Sequence, residues 1–331
     1  MKVVVFSTKP YDRSFLELAS AGENHSWTFL ETRLTMDTAR LATNHDAVCA
    51  FVNDQLDAEV MRALSELKVR LVVLRCAGYN NVDLAAAGQF DVCVARVPAY
   101  SPHAVAEHAV ALVLSVNRGI HRAYGRTREG NFSLDGLLGF DLYGSIVGVI
   151  GTGKIGTEFA RIMTGFGCRV LASDAHENAE CVDMGVQYVN LDDLFERSDI
   201  ISLHCPLTPD TRHLIDADAL AKMKMGVTII NTSRGAVVDA SALIQGLKTG
   251  KVGRLGLDVY EEEADFFFED LSNQVISDDT LARLLTFPNV LITGHQAFLT
   301  KEALTGIAET TVKNLNDFEG SGGCINRVSA T

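Results

Sequence analysis

Residues 146–156 read IVGVIGTGKIG, an apolar run of strand length ending in Gly151, Gly153 and Gly156 at G-x-G-x-x-G spacing. Glycine triplets are common, so the context decides. A helical run, Lys154–Met163, follows at once, and a second strand-like run, Arg169–Ala172, leads to Asp174, 18 residues beyond Gly156. Strand, glycine turn, helix and an acidic residue about 20 positions on are the parts of a dinucleotide-binding fingerprint. Gly151 permits the tight turn, Gly153 lets backbone N–H groups approach a pyrophosphate, and Gly156 lets the helix lie close to the sheet. The helix N-terminus then faces the negative charge. Asp174 can accept hydrogen bonds from the adenosine ribose hydroxyls and repels a 2′-phosphate. Its neighbours Ala175 and His176 bring no arginine to hold one. The expected cofactor is therefore NAD rather than NADP.

Working outward, further apolar runs of strand length lie at Val186–Val189, Ile200–Leu203, Val227–Asn231, Arg254–Val259 and Val290–Thr293. They suit a parallel sheet covered on both faces. Upstream, β-type runs at Val3–Phe6, Ala47–Val52, Leu71–Leu74 and Val92–Arg96 alternate with helical stretches such as Asp57–Leu67, the pattern of a second α/β unit. Ser101-Pro102 reads as an N-cap and first turn, opening a long helix to about Tyr124. Lys301–Phe318 reads as a closing helix whose partner is left open.

Composition bounds the function. The chain has 331 residues, 47% of them hydrophobic and 21% charged, with a net charge of −13. That suits two globular domains with real cores. No Lys/Arg cluster offers a basic face, so a nucleic-acid partner is not expected. The longest apolar stretch after the N-terminus, Ala109–Val116, is far short of a bilayer span, so no membrane partner is expected either. Seven scattered cysteines, without a CxxC pair or a signal-type leader, point to reduced thiols in the cytoplasm and to no metal site.

Three reactive side chains follow strand-like runs downstream of the fingerprint: Arg234 in NTSRG (231–235), Glu263 in DVYEEE (258–263) and His295 in GHQAF (294–298). Ligands of open α/β sheets bind beyond the carboxyl ends of strands. A 2-keto acid needs this set. Arginine's planar fork grips a carboxylate bidentately. Hydride arriving at the carbonyl carbon makes an alkoxide, and histidine can protonate it near neutral pH. A neighbouring glutamate stabilises the imidazolium and fixes the ring.

At these residues the sequence resembles the D-2-hydroxyacid dehydrogenase family, in its lactate-type bacterial branch. The stretches RCAGYNNVD (75–83), VPAYSPHAVAEHA (97–109), GVIGTGKIG (148–156), SLHCPLT (202–208), NTSRGAVVD (231–239), LDVYEEE (257–263) and GHQAFLT (294–300) carry the likeness in order. The resemblance implies that Arg234 binds substrate, that His295 is the acid/base, and that Glu263, at the family's Asp-x4-Glu spacing from Asp258, tunes it. It implies that Lys154, Ile155, Asp174, Cys205, Pro206, Thr232, Ser233 and Asp258 line NAD together with the glycines. Gly78 and Tyr79 would hold the substrate carboxylate through their backbone, and Tyr100 and Phe298 would face the substrate. The implied fold is two Rossmann-like α/β domains with parallel sheets. A discontinuous substrate domain (1–100 and 299–331) would flank a doubly wound NAD-binding domain (101–298), assembled as a homodimer or homotetramer. Reduction of pyruvate to D-lactate is the leading expectation. Bulkier keto acids such as phenylpyruvate or 2-ketoisocaproate are the nearest alternative, and an NAD-sensing corepressor is a more distant one. His204, His103 and His108 read as packing or capping residues, and Phe266–Phe268 as a local packing patch.

Overall fold

The computed structural model describes residues 1–263 and 266–330. Contacts divide the chain into two compact units, one of Met1–Ser101 with 299–330 and one of Pro102–Phe298.

The first unit is built on β1 (Lys2–Val5), β2 (Ser26–Phe29), β3 (Ala47–Ala50), β4 (Leu71–Leu74) and β5 (Cys93–Ala95), all parallel and ordered 5-4-3-1-2. This is a flavodoxin-like order. Strands β3 and β4 are buried along their whole length, which is why they read as unbroken apolar runs. Strand β2 escapes sequence reading because it lies at the sheet edge. Its four residues alternate between exposed and half-buried, too short a pattern to stand out. The helix Ala58–Glu66 starts where Asp57 accepts from the Val60 N–H at 3.0 Å. The helix Lys301–Ser321 finds its partner in Pro10–Ala19, with β4 beneath it. It buries Leu304, Ile307, Ala308, Val312 and Leu315, spaced as one helical face. A two-residue strand, Arg327–Val328, adds antiparallel to β5.

The second unit holds β6 (Ile146–Ile150), β7 (Arg169–Ser173), β8 (Gln187–Tyr188), β9 (Ile200–Leu203), β10 (Val227–Asn231), β11 (Val252–Leu257) and β12 (Val290–Ile292). All are parallel, in the order 12-11-10-9-6-7-8. Counted from its own first strand, this is the doubly wound order 3-2-1-4-5-6 with one strand added. Strand order reverses between β6 and β9, the place where such sheets bind dinucleotides. The helix Pro102–Arg118 buries Ala106, Ala109, Leu112, Val113 and Val116 in the core of this unit. It stops short of the expected end near Tyr124. Gly119 takes φ +58°, which a helix cannot contain, and a second helix, Ile120–Arg128, starts afresh.

Among the described residues, no helix is long and apolar enough to cross a membrane, and no group of His, Cys, Asp and Glu side chains could hold a metal ion.

Candidate active site

The residues singled out in the second unit follow neighbouring parallel strands at their carboxyl ends. Gly151 follows β6, Asp174 follows β7, Cys205 β9, Thr232–Arg234 β10, Asp258–Glu263 β11 and His295 β12. The sheet therefore gathers them on one edge.

The glycine cradle fits a dinucleotide. Gly151 has φ +92°, and a Cβ there would lie 2.7 Å from the Cys205 nitrogen. A Cβ on Gly156 would lie 1.9 Å from the Gly151 carbonyl oxygen, so the helix Lys154–Gly165 approaches as it does only because that residue is glycine. At Gly153 the same construction meets nothing within 4 Å, leaving open space at the helix N-terminus for a pyrophosphate. Lys154 is exposed beside it and Ile155 half-buried.

Asp174 lies exposed at the end of β7. It accepts from the Thr152 N–H at 2.6 Å, the Thr152 hydroxyl at 3.2 Å and the His176 N–H at 3.2 Å. Partial burial pushes its carboxyl up, but the Thr152 and His176 amides outweigh this and hold it below its ordinary value. It is a fixed anion, suited to ribose hydroxyls.

On the far side of the cradle, Cys205 is buried. Burial raises its thiol to about 11, so it stays neutral and serves as apolar wall. Pro206 is exposed after it. Thr232 is buried too, its Oγ1 sealed from solvent without a protein partner, as a residue facing a bound group can be. The Ser233 N–H and hydroxyl both donate to Asn231 Oδ1, at 3.0 and 2.8 Å, while Asn231 Nδ2 donates to the Arg234 carbonyl at 2.9 Å. The fully buried Asn231 thus shapes the turn that presents Arg234. The half-buried Arg234 spends one N–H on the Ser233 carbonyl, at 2.6 Å.

His295 and Glu263 are joined by a 2.8 Å hydrogen bond from Nδ1 to Oε1. The second oxygen of Glu263 accepts from the Tyr260 N–H at 3.0 Å. Side-chain exposures of 17% and 19% make this a sheltered pair. The acidic run is thereby sorted: Glu263 meets His295, Glu261 meets Arg212 and His213, and Glu262 is exposed.

Two aromatic rings flank the imidazole. Phe298 lies edge-on at 6.5 Å and Phe268 tilted at 5.7 Å. The place of Phe268 was not legible in sequence. Phe267 is buried in the core, and Phe266 and Phe268 pack against it. The amides of Phe266 and Phe267 donate to the Glu263 carbonyl, tying this segment to the glutamate itself. Ala264 and Asp265, at the start of the 264–277 stretch, lie outside the described residues.

Asp258, expected along the cofactor, is fully buried, and protein donors take both its oxygens. The task the structure displays for it is to hold the backbone around His295. His204 packs its ring 4.8 Å from Phe159 behind the cradle, bonded to the Ser202 hydroxyl at 2.9 Å.

Gly78, Tyr79 and Tyr100 belong to the first unit. Cys76 Sγ donates to the Gly78 carbonyl at 3.3 Å, and the Arg96 guanidinium stands 5.0 Å over the Tyr79 ring, shaping the loop beyond β4.

A doubly wound sheet bearing these groups defines a nicotinamide-dependent dehydrogenase, and known proteins carry the assignment further. The NAD binding domain model of the D-isomer specific 2-hydroxyacid dehydrogenases matches residues 110–297. Over 328 residues the chain is 52% identical to the D-lactate dehydrogenase of Escherichia coli, covering 99% of this chain and 100% of that protein. Among solved structures it resembles the apo-form of D-lactate dehydrogenase from Escherichia coli, with a TM-score of 0.91 and 49% identity over 99% of this chain and 100% of that one. It also resembles a structure described as the pyruvate reductase of Chlamydomonas reinhardtii, with a TM-score of 0.91 and 46% identity over 96% of each chain. The chain belongs to the NAD-dependent D-2-hydroxyacid dehydrogenase family.

Proposed function

We propose that this protein is a D-lactate dehydrogenase, reducing pyruvate with NADH and running in reverse with NAD, with Arg234, Glu263 and His295 as its working side chains. The observation that carries the reading is the 2.8 Å His295–Glu263 bond at the sheet edge that also bears Arg234. An ionised carboxylate only accepts hydrogen bonds, so Nδ1 carries a proton and Nε2 is the atom left for the substrate. NADH, when bound, supplies the hydride. Nε2 gives its proton to the ketone oxygen as the carbonyl π pair collapses onto that oxygen, and the ring is left neutral. In the reverse direction Nε2 takes the hydroxyl proton. Arg234 grips the substrate carboxylate bidentately. Phe268 and Phe298 keep water from the imidazole, which strengthens its bond to Glu263 in a lower dielectric. We assign Phe298, Tyr100 and the backbone at Gly78 and Tyr79 to the substrate, and the remaining edge residues to NAD. The names of the Escherichia coli and Chlamydomonas relatives support lactate and pyruvate as the pair.

The test is NADH absorbance with pyruvate, phenylpyruvate and 2-ketoisocaproate, followed by chiral analysis of the product. Pyruvate should show the highest kcat/KM and yield the D isomer. No turnover with any keto acid sinks the reading, and preference for a bulkier one replaces pyruvate.

A second copy of the chain is the proposed partner. Residues 131–138 lie on the helix Ile120–Arg128 through Arg122 and Arg126, which donate to the Gly136 and Asp135 carbonyls. This arm exposes Tyr124, Phe132, Leu134 and Leu138. Large apolar side chains gathered on one exposed arm support self-association. Leu134→Glu should convert an oligomer to monomers in light scattering, and an unchanged mass rejects the arm. None of the seven cysteines is in a disulfide, which supports a reducing, cytoplasmic setting.

A further inference from the structure

We propose that His108 is a positioning residue for His295, acting through Thr293 and the Asp258 carboxylate. The proposal deepens the reading of His295 as the acid and rests on it.

Asp258 is a fully buried carboxylate, and such a group is tolerated only where donors surround it. Four do. Its Oδ1 accepts from the Thr293 hydroxyl at 2.5 Å and the Gln296 N–H at 2.9 Å, and lies 3.3 Å from His108 Nε2. Its Oδ2 accepts from the Ala297 N–H at 2.9 Å. The Asp258 carbonyl, meanwhile, accepts from the His295 N–H at 2.8 Å. One residue therefore holds His295 and the two residues after it.

That grip has a load to bear. His295 sits at φ +52°, a left-handed conformation that strains a non-glycine residue. Released, the backbone would relax and swing the imidazole off its line with Glu263.

His108 and Thr293 are the side-chain half of the bracket. Thr293 has one hydroxyl proton, and the carboxylate takes it. His108 Nε2, 3.0 Å from Thr293 Oγ1, must then be the donor, whatever the state of Nδ1. This makes His108 an N–H strut projecting from the helix Pro102–Arg118, which packs on β10, β11 and β12. Burial raises the Asp258 carboxyl, and the His108 and Thr293 bonds reverse this and bring it below its ordinary value. Sequence placed His108 only as a packing or capping residue, because its partners lie 150 or more positions away.

The test compares His108→Gln with His108→Asn. Glutamine carries its amide N–H to about the place of Nε2, whereas asparagine is polar but too short. His108→Asn should lower kcat at least tenfold with the keto-acid KM changed less than threefold. His108→Gln should recover most of the loss. In a His295→Asn background, His108→Asn should cost nothing further, because its effect runs through the imidazole. Hydrogen exchange gives a readout that needs no turnover: the Gln296 and Ala297 amides should exchange faster in His108→Asn and at the native rate in His108→Gln. Equal kcat in the three proteins, an additive loss in the His295→Asn background, or unchanged exchange each overturns the proposal. A failure of the His295 reading would show differently, as native turnover in His295→Asn alone.

Discussion

His213 and His295 make matching pairs with glutamates two positions apart. His213 Nε2 lies 3.0 Å from Glu261, and His295 Nδ1 2.8 Å from Glu263. Both histidines take left-handed backbone, at φ +51° and +52°. Their surroundings differ. Glu261 is shared with Arg212 at 2.6 Å, and the His213 side chain is 37% exposed. Among the described residues no arginine pairs with Glu263, which accepts from the Tyr260 amide, and two phenylalanine rings lie beside His295. Glu261 is already engaged by an arginine, and solvent reaches the His213 ring and screens the pair. Residue type and distance do not tell the two pairs apart. Shelter and the company the carboxylate keeps do, and on these the proposed acid–base role of His295 rests.

The comparison can be broken most sharply at the rings. His295→Asn should lower kcat for pyruvate about a thousandfold, roughly 4 kcal/mol, with NADH binding by fluorescence little changed. His213→Asn should stay within threefold of native, and equal losses would erase the distinction. Next come the two arginines. Arg234→Lys forfeits bidentate binding and should cost about 1.5–3 kcal/mol in kcat/KM, whereas Arg212→Lys, an exposed ion pair, should cost less than about 0.5 kcal/mol.

A third histidine extends the series. His204 has no charged partner, and burial drops its ring to about 3. The folded protein therefore keeps it neutral while the unfolded chain binds a proton below about pH 6.5. Stability falls as pH drops through that window. At pH 5 the loss is about 2 kcal/mol, measurable as a lower urea midpoint relative to pH 7. His204→Gln should remove that part of the acid sensitivity, and an unchanged pH dependence counts against the assignment. The smallest effect is on the glutamates. Glu263→Gln removes the charge that favours imidazolium, the form that donates. The kcat for keto-acid reduction should fall about tenfold. Glu261→Gln should stay within threefold of native, and equal losses would remove the distinction.

What the sequence revealed, and what it hid, follows the range of the interactions. The cradle was legible because Gly151, Gly153, Gly156 and Asp174 lie within one βαβ unit, where spacing and chemistry are tied together. The ends of β9 and β10 were legible because both are buried runs with sharp borders, whereas β11, half-buried at Gly253 and Arg254, runs Val252–Leu257 rather than the expected Arg254–Val259. The place of Phe268 against His295, the strut from His108 and the pairing of Glu261 with Arg212 were not. Each depends on side chains brought together from distant segments, and nothing local in those residues marks them. The helix break at Gly119 is an intermediate case. A glycine inside an apolar pattern is tolerated in many helices, and here its left-handed φ ends one.

The first unit is assembled from both arms of the chain. Its last helix lies on Pro10–Ala19, the Met1 amino group bonds Glu319 at 3.0 Å, and the strand Arg327–Val328 borders β5. On the ribosome this means that residues 102–298 can close their sheet while residues 1–101 still wait, their apolar surface uncovered, for a helix some 200 positions downstream. The interval is the time needed to synthesise the whole NAD-binding unit, on the order of 10–40 s at bacterial elongation rates of about 5–20 residues per second. During translation, the N-terminal third is the part of this enzyme whose core is completed last.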